Sequence, residues 1–324
     1  MISTPKLKCA APMLVSAELS LAPGATGTPP LSDLTFGSRY AVLIDEIHFR
    51  VWNTGKNTVP PNGPIEDLRG NIRVNLTIGR FQITDSFTPI WSLGRVNSND
   101  IYYDDPSADV ASIVPGASRA VTAATWRLPV PLYMPPSALI LPQFQYAVGS
   151  SQGLGITLPT ANINISVAGR AVIPGQPVPA RWPIPSSLFY EASPAGFAVN
   201  PGSVLVNQSR NDLHIQRMNL RVWDQRSPAI AGVQYGADWL GTTAPEPAST
   251  ALQYRIRDRL DTLLTKDFVP APLLVDLNSR SWFVDTILPR DDYYRLEVQQ
   301  QPAPASDAGL WSHFALVGAR MEDI

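Results

Sequence analysis

One stretch of this chain is written twice, and no other feature constrains its fold so tightly. Residues 38–53 read Ser-Arg-Tyr-Ala-Val-Leu-Ile-Asp-Glu-Ile-His-Phe-Arg-Val-Trp-Asn. Residues 209–224 read Ser-Arg-Asn-Asp-Leu-His-Ile-Gln-Arg-Met-Asn-Leu-Arg-Val-Trp-Asp, aligned without a gap at an offset of 171 positions (209 − 38). Ser, Arg, Ile, Arg, Val and Trp are identical, and most other pairs keep their apolar or polar character. The pattern inside the segments says more than the identities. Val42 and Ile44 alternate with the period of a strand, the phase then slips by one, and Ile47, Phe49 and Val51 resume it. In the second copy Leu213 and Ile215 give way to Met218, Leu220 and Val222, with the slip at the same place. One extra residue in a strand is a β-bulge, which bends the strand and returns its apolar side to the core. Two copies of one bulge predict two copies of one β-domain.

Weaker landmarks follow in the same order. Phe87-Thr-Pro89 ends an alternating run, as Phe268-Val-Pro270 does in the second half, and Trp126 and Trp282 each open a strand-like stretch. Each half closes on a short apolar strand ending in a small residue and arginine, at Arg170 and Arg320, with the alignment open by one residue. Candidate strands cover 14–21, 40–52, 72–83, 126–132, 139–148 and 163–173, then 204–208, 213–223, 282–288, 294–299 and 311–317. Turn-forming Pro, Gly, Asn and Asp separate them, as an antiparallel sandwich requires. The expected division is a first sandwich over 1–173, a proline-rich connection over 174–196 and a second sandwich over 197–324. In the connection Pro174, Pro177, Pro179, Pro183, Pro185 and Pro194 favour extended, semi-rigid backbone over helix or ladder strand. Its Trp182, Ile184, Leu188, Phe189 and Tyr190 should still find something to pack against. Residues 251–264 conflict with the repeat: Leu252, Ile256, Leu260 and Leu263 recur at helical spacing behind Ser249 and Thr250. A helix is the expectation there, although Tyr254, Ile256 and Leu260 also fit a period of two.

Composition narrows the class of protein. Of 324 residues, 44% are apolar and 16% charged, against roughly 25% charged in an ordinary domain. A large core can form, and much of the surface suits contact with other protein. The net charge of −2 lacks the basic excess of a nucleic-acid binder. There are 32 prolines, about twice the usual ~5%, and an interior proline costs a helix ~3 kcal/mol, so long helices should not dominate. Cys9 is the sole cysteine, which excludes an internal disulfide and a Cys-based zinc site. No stretch has the length of a signal peptide or of a bilayer span. The expectation is synthesis in a reducing host cytoplasm, in soluble form until a partner is met.

Catalytic chemistry finds little support, and neither an enzyme nor a cofactor or metal site is expected. His48, His214 and His313 are too far apart for a local ligand motif, and the first two fall on the polar phase of the repeated strands. No nucleophile elbow, phosphate-binding loop, zincin motif or dinucleotide fingerprint occurs. Tyr102-Tyr103-Asp104-Asp105 and Asp291-Asp292-Tyr293-Tyr294 carry acidic pairs that suit solvated loops or subunit contacts better than Ca²⁺ or acid–base catalysis on sugars. The repeated Arg-Val-Trp points to a surface. With Phe49 and Val51 inward, Arg50 and Trp52 share the opposite face, as do Arg221 and Trp223. These outer faces either pack against a neighbouring domain or subunit or lie beneath the chain's own loops, and an arginine stacked on the indole would suit either case.

A β-domain of about 150 residues, copied in tandem across a proline-rich join, resembles the double jelly-roll major capsid proteins of tailless icosahedral viruses, including membrane-containing bacteriophages. The resemblance rests on the copied strand, residues 38–53 and 209–224. It implies two tandem jelly-roll sandwiches with few short helices, and a homotrimeric, pseudo-hexagonal capsomer that tiles a virion shell. The implied partners are further copies of the chain and other virion proteins at the vertices, with no sequence-specific nucleic acid; an internal membrane beneath the shell is left open. Two other functions fit a duplicated sandwich: a phage tail, baseplate or spike component, and a carbohydrate-binding module. The last would use Trp91, Tyr102, Tyr103, Tyr293 and Tyr294 as an aromatic platform.

Overall fold

Side chains alternate along the strands as a sheet with one face on a core requires. The computed structural model describes residues 6–53, 71–93, 101–103, 120–147, 160–192, 200–224, 252–260, 264–265, 267–274, 281–300 and 310–324. The first half holds β1 (Cys9–Leu21), β2 (Thr26–Gly27), β3 (Val42–Asn53), β4 (Ile72–Ile78), β5 (Phe81–Gln82) and β6 (Thr88–Pro89), followed by β7 (Ile101–Tyr103), β8 (Ala120–Met134), β9 (Ile140–Tyr146) and β10 (Ala161–Val172). The second holds β11 (Arg181–Ala192), β12 (Asn200–Val206), β13 (Leu213–Asp224), β14 (Leu252–Arg257), β15 (Val269–Pro270), β16 (Ser281–Leu288), β17 (Tyr293–Gln300) and β18 (Leu310–Asp323). One-turn helices occur at Ile90–Leu93 and Ala271–Leu274.

The sheets repeat as the sequence does. The first half pairs in the orders β1-β10-β3-β8-β7 and β2-β9-β4-β5, and the second in the orders β11-β18-β13-β16 and β12-β17-β14-β15. Place by place, β1, β10, β3 and β8 match β11, β18, β13 and β16, and β2, β9, β4 and β6, which also pairs with β4, match β12, β17, β14 and β15. Eight antiparallel strands in two sheets of this order are a jelly roll, here present twice. One core is built on Ile47, Phe49, Val74, Trp126 and Phe144, the other on Ile215, Leu220, Tyr254, Ile256 and Phe314.

Both bulges are present and fall on matching residues. Against β10, Ile44 faces Gly169 and Glu46 faces Ala168, leaving Asp45 extra. Against β18, Ile215 faces Gly318 and Arg217 faces Val317, leaving Gln216 extra. Asp45 and Gln216 are related by the same offset as the sequence repeat. The glycine opposite each bulge is there because backbone comes too close for a side chain. A Cβ on Gly169 would lie 2.5 Å from the Leu43 carbonyl oxygen, and one on Gly318 would lie 2.0 Å from that of His214. The matched glycines settle the alignment left open by one residue: Arg170 corresponds to Ala319, and Arg320 lies one place further on. Arg170 instead closes the first bulge, donating from Nε and Nη2 to the two carboxylate oxygens of Asp45, each at 2.8 Å.

Two sequence expectations are corrected. The helix expected over 251–264 is not formed, since residues 252–257 are strand β14. Tyr254 and Ile256 are buried, whereas Leu260 on the same helical stripe is 82% exposed. Ladders to β17 and β15 on either side decide the matter, and these partners lie too far along the chain for local spacing to reveal. Likewise the segment over 174–196, read as avoiding ladder strand, contains β11, which pairs residue by residue with β18. Its prolines are tolerated because β11 is an edge strand and Pro183 and Pro185 fall on alternate residues. Ser187, two places on, donates its N–H away from β18, to the Ile83 carbonyl at 3.0 Å, so the proline nitrogens point where no ladder bond is lost. Trp182 and Ile184 do find packing partners, in the core of the first half, while Leu188 joins that of the second.

Candidate assembly interface

The bulged strand sends alternate side chains away from each core, and these outer faces differ between the halves. In the first half the outer row is polar and satisfied within the sheet. The Asn164 amide donates to Ser16 Oγ at 2.9 Å and Ser166 Oγ to Asn164 Oδ1 at 2.9 Å. His48 Nδ1 meets Thr125 Oγ1 at 3.1 Å, with its Nε2 3.5 Å from Glu46. Arg50 is exposed and Trp52 half-buried on this face, the guanidinium lying 5.5 Å from the indole centroid. Arginine therefore lies over indole in the first copy, an arrangement that suits either a contact or a covering loop.

In the second half the same face is covered by the first half. Ala315, Val317, Ala319 and His313 are buried there, opposite residues of β13. The one-turn helix Ile90–Leu93 sits on this sheet, its Ser92 and Leu93 carbonyls accepting from Asn219 Nδ2 and from Arg217 Nη2, both at 2.7 Å. Asn219 and Arg217 are the repeat partners of His48 and Glu46. Arg221 and Trp223 lie further along β13, facing His313 and Trp311 in the ladder, and their side chains lie outside the described residues.

Three further contacts hold the seam. Residues 83–85 run beside the free edge of β11, where Thr84 bridges Ser187 in parallel and the Asp85 N–H donates to the Ser187 carbonyl at 3.2 Å. Trp182 reaches across from β11, donating its indole N–H to the Pro131 carbonyl at 2.8 Å, with Tyr133 5.6 Å away ring to ring. Arg73 of β4 and His313 of β18 both meet the same oxygen of Glu191, at 2.5 and 2.9 Å. Burial alone would raise the Glu191 pKa, but the hydrogen bonds and charges of His313 and Arg73 outweigh it and hold the carboxyl below its usual range. At the mouth of a cavity of about 440 Å³ between the halves, lined also by Phe189 and Arg320, Asp85 is partly exposed. Desolvation nonetheless pushes its carboxyl up to about 6.

The remaining candidates scatter. Asp104 and Asp105 lie outside the described residues, as do the side chains of Trp91, Tyr102 and Tyr103. Asp291 and Asp292 form the turn between β16 and β17, where Asp291 takes a left-handed φ of 58° and both backbone N–H groups are tied to carbonyls. Tyr294 is buried in the second core, its hydroxyl near Thr286 Oγ1 at 3.2 Å, so it cannot present a face to a sugar. Among the described residues no group of His, Cys, Asp or Glu is placed to hold a metal. Asn219, Arg217, Arg73 and Glu191 escaped the sequence reading. The outward phase of the repeated strand marks the first two, but nothing local marks Arg73 or Glu191, which meet only through the tertiary fold.

No family model matches the sequence, and no curated protein resembles it closely enough to register. Solved structures do resemble it. The chain superposes on a quasi-atomic model of the PBCV-1 virus capsid with a TM-score of 0.54 at 11% identity, covering 98% of this chain and 96% of that one. It superposes on PBCV-1 VP54, as fitted into a reconstruction of the virophage Sputnik, with a TM-score of 0.53 at 11% identity, over 99% and 96% of the two chains. The class of protein so defined is the double jelly roll, and the particular likeness is to the capsid protein of PBCV-1.

Proposed function

We propose that this chain is a viral major capsid protein, a structural rather than catalytic component that assembles with itself into the shell of a virion. The observation that carries the reading is the doubled eight-stranded unit, matched end to end by a capsid protein of the same architecture. The two halves, the first over 1–173 and the second entered through the proline-rich segment 174–196, whose residues 181–192 form its edge strand β11, supply two adjacent wedges of a capsomer, so that three chains fill a pseudo-hexagonal position. Duplication suits such a tile, because the copies keep one shape while their contacts diverge. The uncovered outer face with Arg50 and Trp52 is then a contact between chains. A shell also implies other virion proteins at its vertices and admits an internal membrane.

Mass photometry of the purified chain, followed by electron microscopy of particles containing it, tests this. A three-chain species and shell-wide density are expected. A strict monomer at high concentration, or density confined to one vertex as for a spike or tail component, overturns it.

A further inference from the structure

The two copies differ in chemistry where the chain enters the bulged strand. The first reaches β3 through Arg39, Tyr40 and Ala41, with Leu43 as the second residue of the strand. The second reaches β13 through Arg210, Asn211 and Asp212, with His214 in the place of Leu43. In the first copy the arginine has a ring to lie on, the Arg39 guanidinium sitting 5.1 Å from the Tyr40 centroid. Leu43 belongs to the first core, and Ala41 packs against it. In the second copy Asn, Asp and His replace these apolar groups. A cavity of about 340 Å³ opens there, lined by Arg181, Arg210, Asn211, Asp212, His214 and Met321. The jelly roll itself does not require this polar set, since the first copy makes the same entry with apolar residues.

The walls of the cavity are held in place by the chain. Asn207 is buried and donates from Nδ2 to the Asn211 and Leu288 carbonyls, each at 3.0 Å. Ser209 Oγ donates to the same Asn211 carbonyl at 2.5 Å, so the turn that carries Arg210 is fastened from within. Arg181 Nη2 donates to the Met321 carbonyl at 3.1 Å. Its Nε lies 3.6 Å from Asp323, a carboxylate 85% exposed and therefore well screened. Asp212 is engaged elsewhere, its Oδ1 accepting from the Arg290 backbone N–H at 3.0 Å. Arg210 and His214, by contrast, have no hydrogen-bond or ion partner among the described residues.

Two guanidinium groups thus share the lining with one carboxylate, and a concave surface of that balance favours an anion. A guanidinium presents a rigid fork of N–H donors that matches the oxygens of a phosphoryl group. The two oxygens of a carboxylate fill a single fork, whereas two forks and an imidazole suit a tetrahedral oxyanion. We propose that this cavity binds phosphate, Arg181 and Arg210 each turning a guanidinium edge to the phosphoryl oxygens and His214 adding a further contact. The group recognised is the phosphoryl itself, carried by a free ion or small ester or by the head of an acidic lipid.

Isothermal titration of the full chain with inorganic phosphate, at ionic strength held constant with sodium chloride, tests the site. Saturable binding of one phosphate per chain is expected. Arg210→Gln should weaken it by roughly tenfold or more, as loss of a charge-assisted hydrogen bond does. His214→Leu, which restores the residue of the first copy, should weaken it as well. Arg39→Gln, at the matching place in the first half, should leave it unchanged. Both arginines are exposed, and unchanged far-UV circular dichroism would show that the variants fold. Flotation with phosphatidylcholine vesicles containing phosphatidic acid separates the sources. Co-flotation lost in Arg210→Gln supports the site and assigns it to a lipid head, and phosphate binding without co-flotation supports it and assigns it to the free ion or a small ester. Whatever the vesicles show, heat that does not saturate, that sodium chloride alone reproduces, or that Arg210→Gln and Arg39→Gln alter alike overturns the inference.

Discussion

The two bulge glycines allow a graded test of whether the repeat is structural. Replacing Gly318 by alanine puts a Cβ 2.0 Å from the His214 carbonyl oxygen, 2.8 Å from its carbon and 2.9 Å from Ile215 Cα. Carbon–oxygen contacts are ordinarily no closer than about 3.3 Å, so the shortfall exceeds an ångström and every atom in the way is backbone. β13 lies between β18 and β16 and is laddered to both, which leaves it little room to retreat. At Gly169 the clash is milder, 2.5 Å to the Leu43 oxygen, and the next atom, Val42 Cγ1 at 2.8 Å, belongs to a side chain that can turn. Overpacking costs about 1–3 kcal/mol and occasionally more. The geometry therefore places Gly318→Ala at about 3–4 kcal/mol and Gly169→Ala at about 2–3. Gly37, at φ +82° with nothing within 4 Å of its Cβ position, serves as control, where alanine costs only the left-handed backbone penalty of about 1–2 kcal/mol. Urea unfolding at one fixed protein concentration measures all three, because association would otherwise add to the stability. If Gly318→Ala and Gly169→Ala cost no more than Gly37→Ala, close backbone approach at the bulge is not what demands glycine.

The seam supplies the other predictions. Glu191→Gln should destabilise by roughly 2–3 kcal/mol, less than the 3–5 of a fully buried broken pair because Glu191 and Arg73, though not His313, keep some solvent; equal urea midpoints for variant and wild type would refute it. The Glu191 carboxyl is held below its unfolded value, so its contribution is present above about pH 4.3 and lost as pH falls through the folded value. Wild type should lose its advantage over Glu191→Gln in acid, as read by thermal melts across pH. Asp85 has the opposite sign: its pKa is raised from 3.8 to about 6, so the burial penalty appears as pH climbs through that window. Asp85→Asn should therefore gain in melting temperature relative to wild type from about pH 4 to pH 7, and a difference that does not change with pH would refute the cause. Trp182→Ala removes a fully buried indole and its bond to Pro131, at about 3–5 kcal/mol. Melts that stay unchanged would show that Trp182 does not fasten the halves.

How much of this was readable from residues alone depends on the range of the signal. The slip between Ile44 and Ile47 and between Ile215 and Met218 is local, and it located both bulges because side-chain phase in a strand is set by immediate neighbours. Arg50 and Trp52 share a face for the same reason. The strand at 252–257 carried two periods at once, and only its partners β17 and β15 chose between them. β11 looked like a connector because proline is read as a ladder-breaker. The exception depends on its place at a sheet edge, which no local pattern records.

By itself the sequence determined that the chain is a duplicated β protein with a kinked strand at the same point of each copy, because alternation and the single-residue slip are properties of contiguous residues. The tertiary structure alone decided which outer face would be covered. Asn219 and Ala315 in one copy, and His48 and Ser166 in the other, occupy matching ladder positions. Only the docking of residues 83–93 on the second sheet separates a buried seam from an open face. That docking joins groups more than a hundred residues apart, Arg73 to Glu191 and Ser92 to Asn219, and contacts of that range leave no periodic trace in the chain.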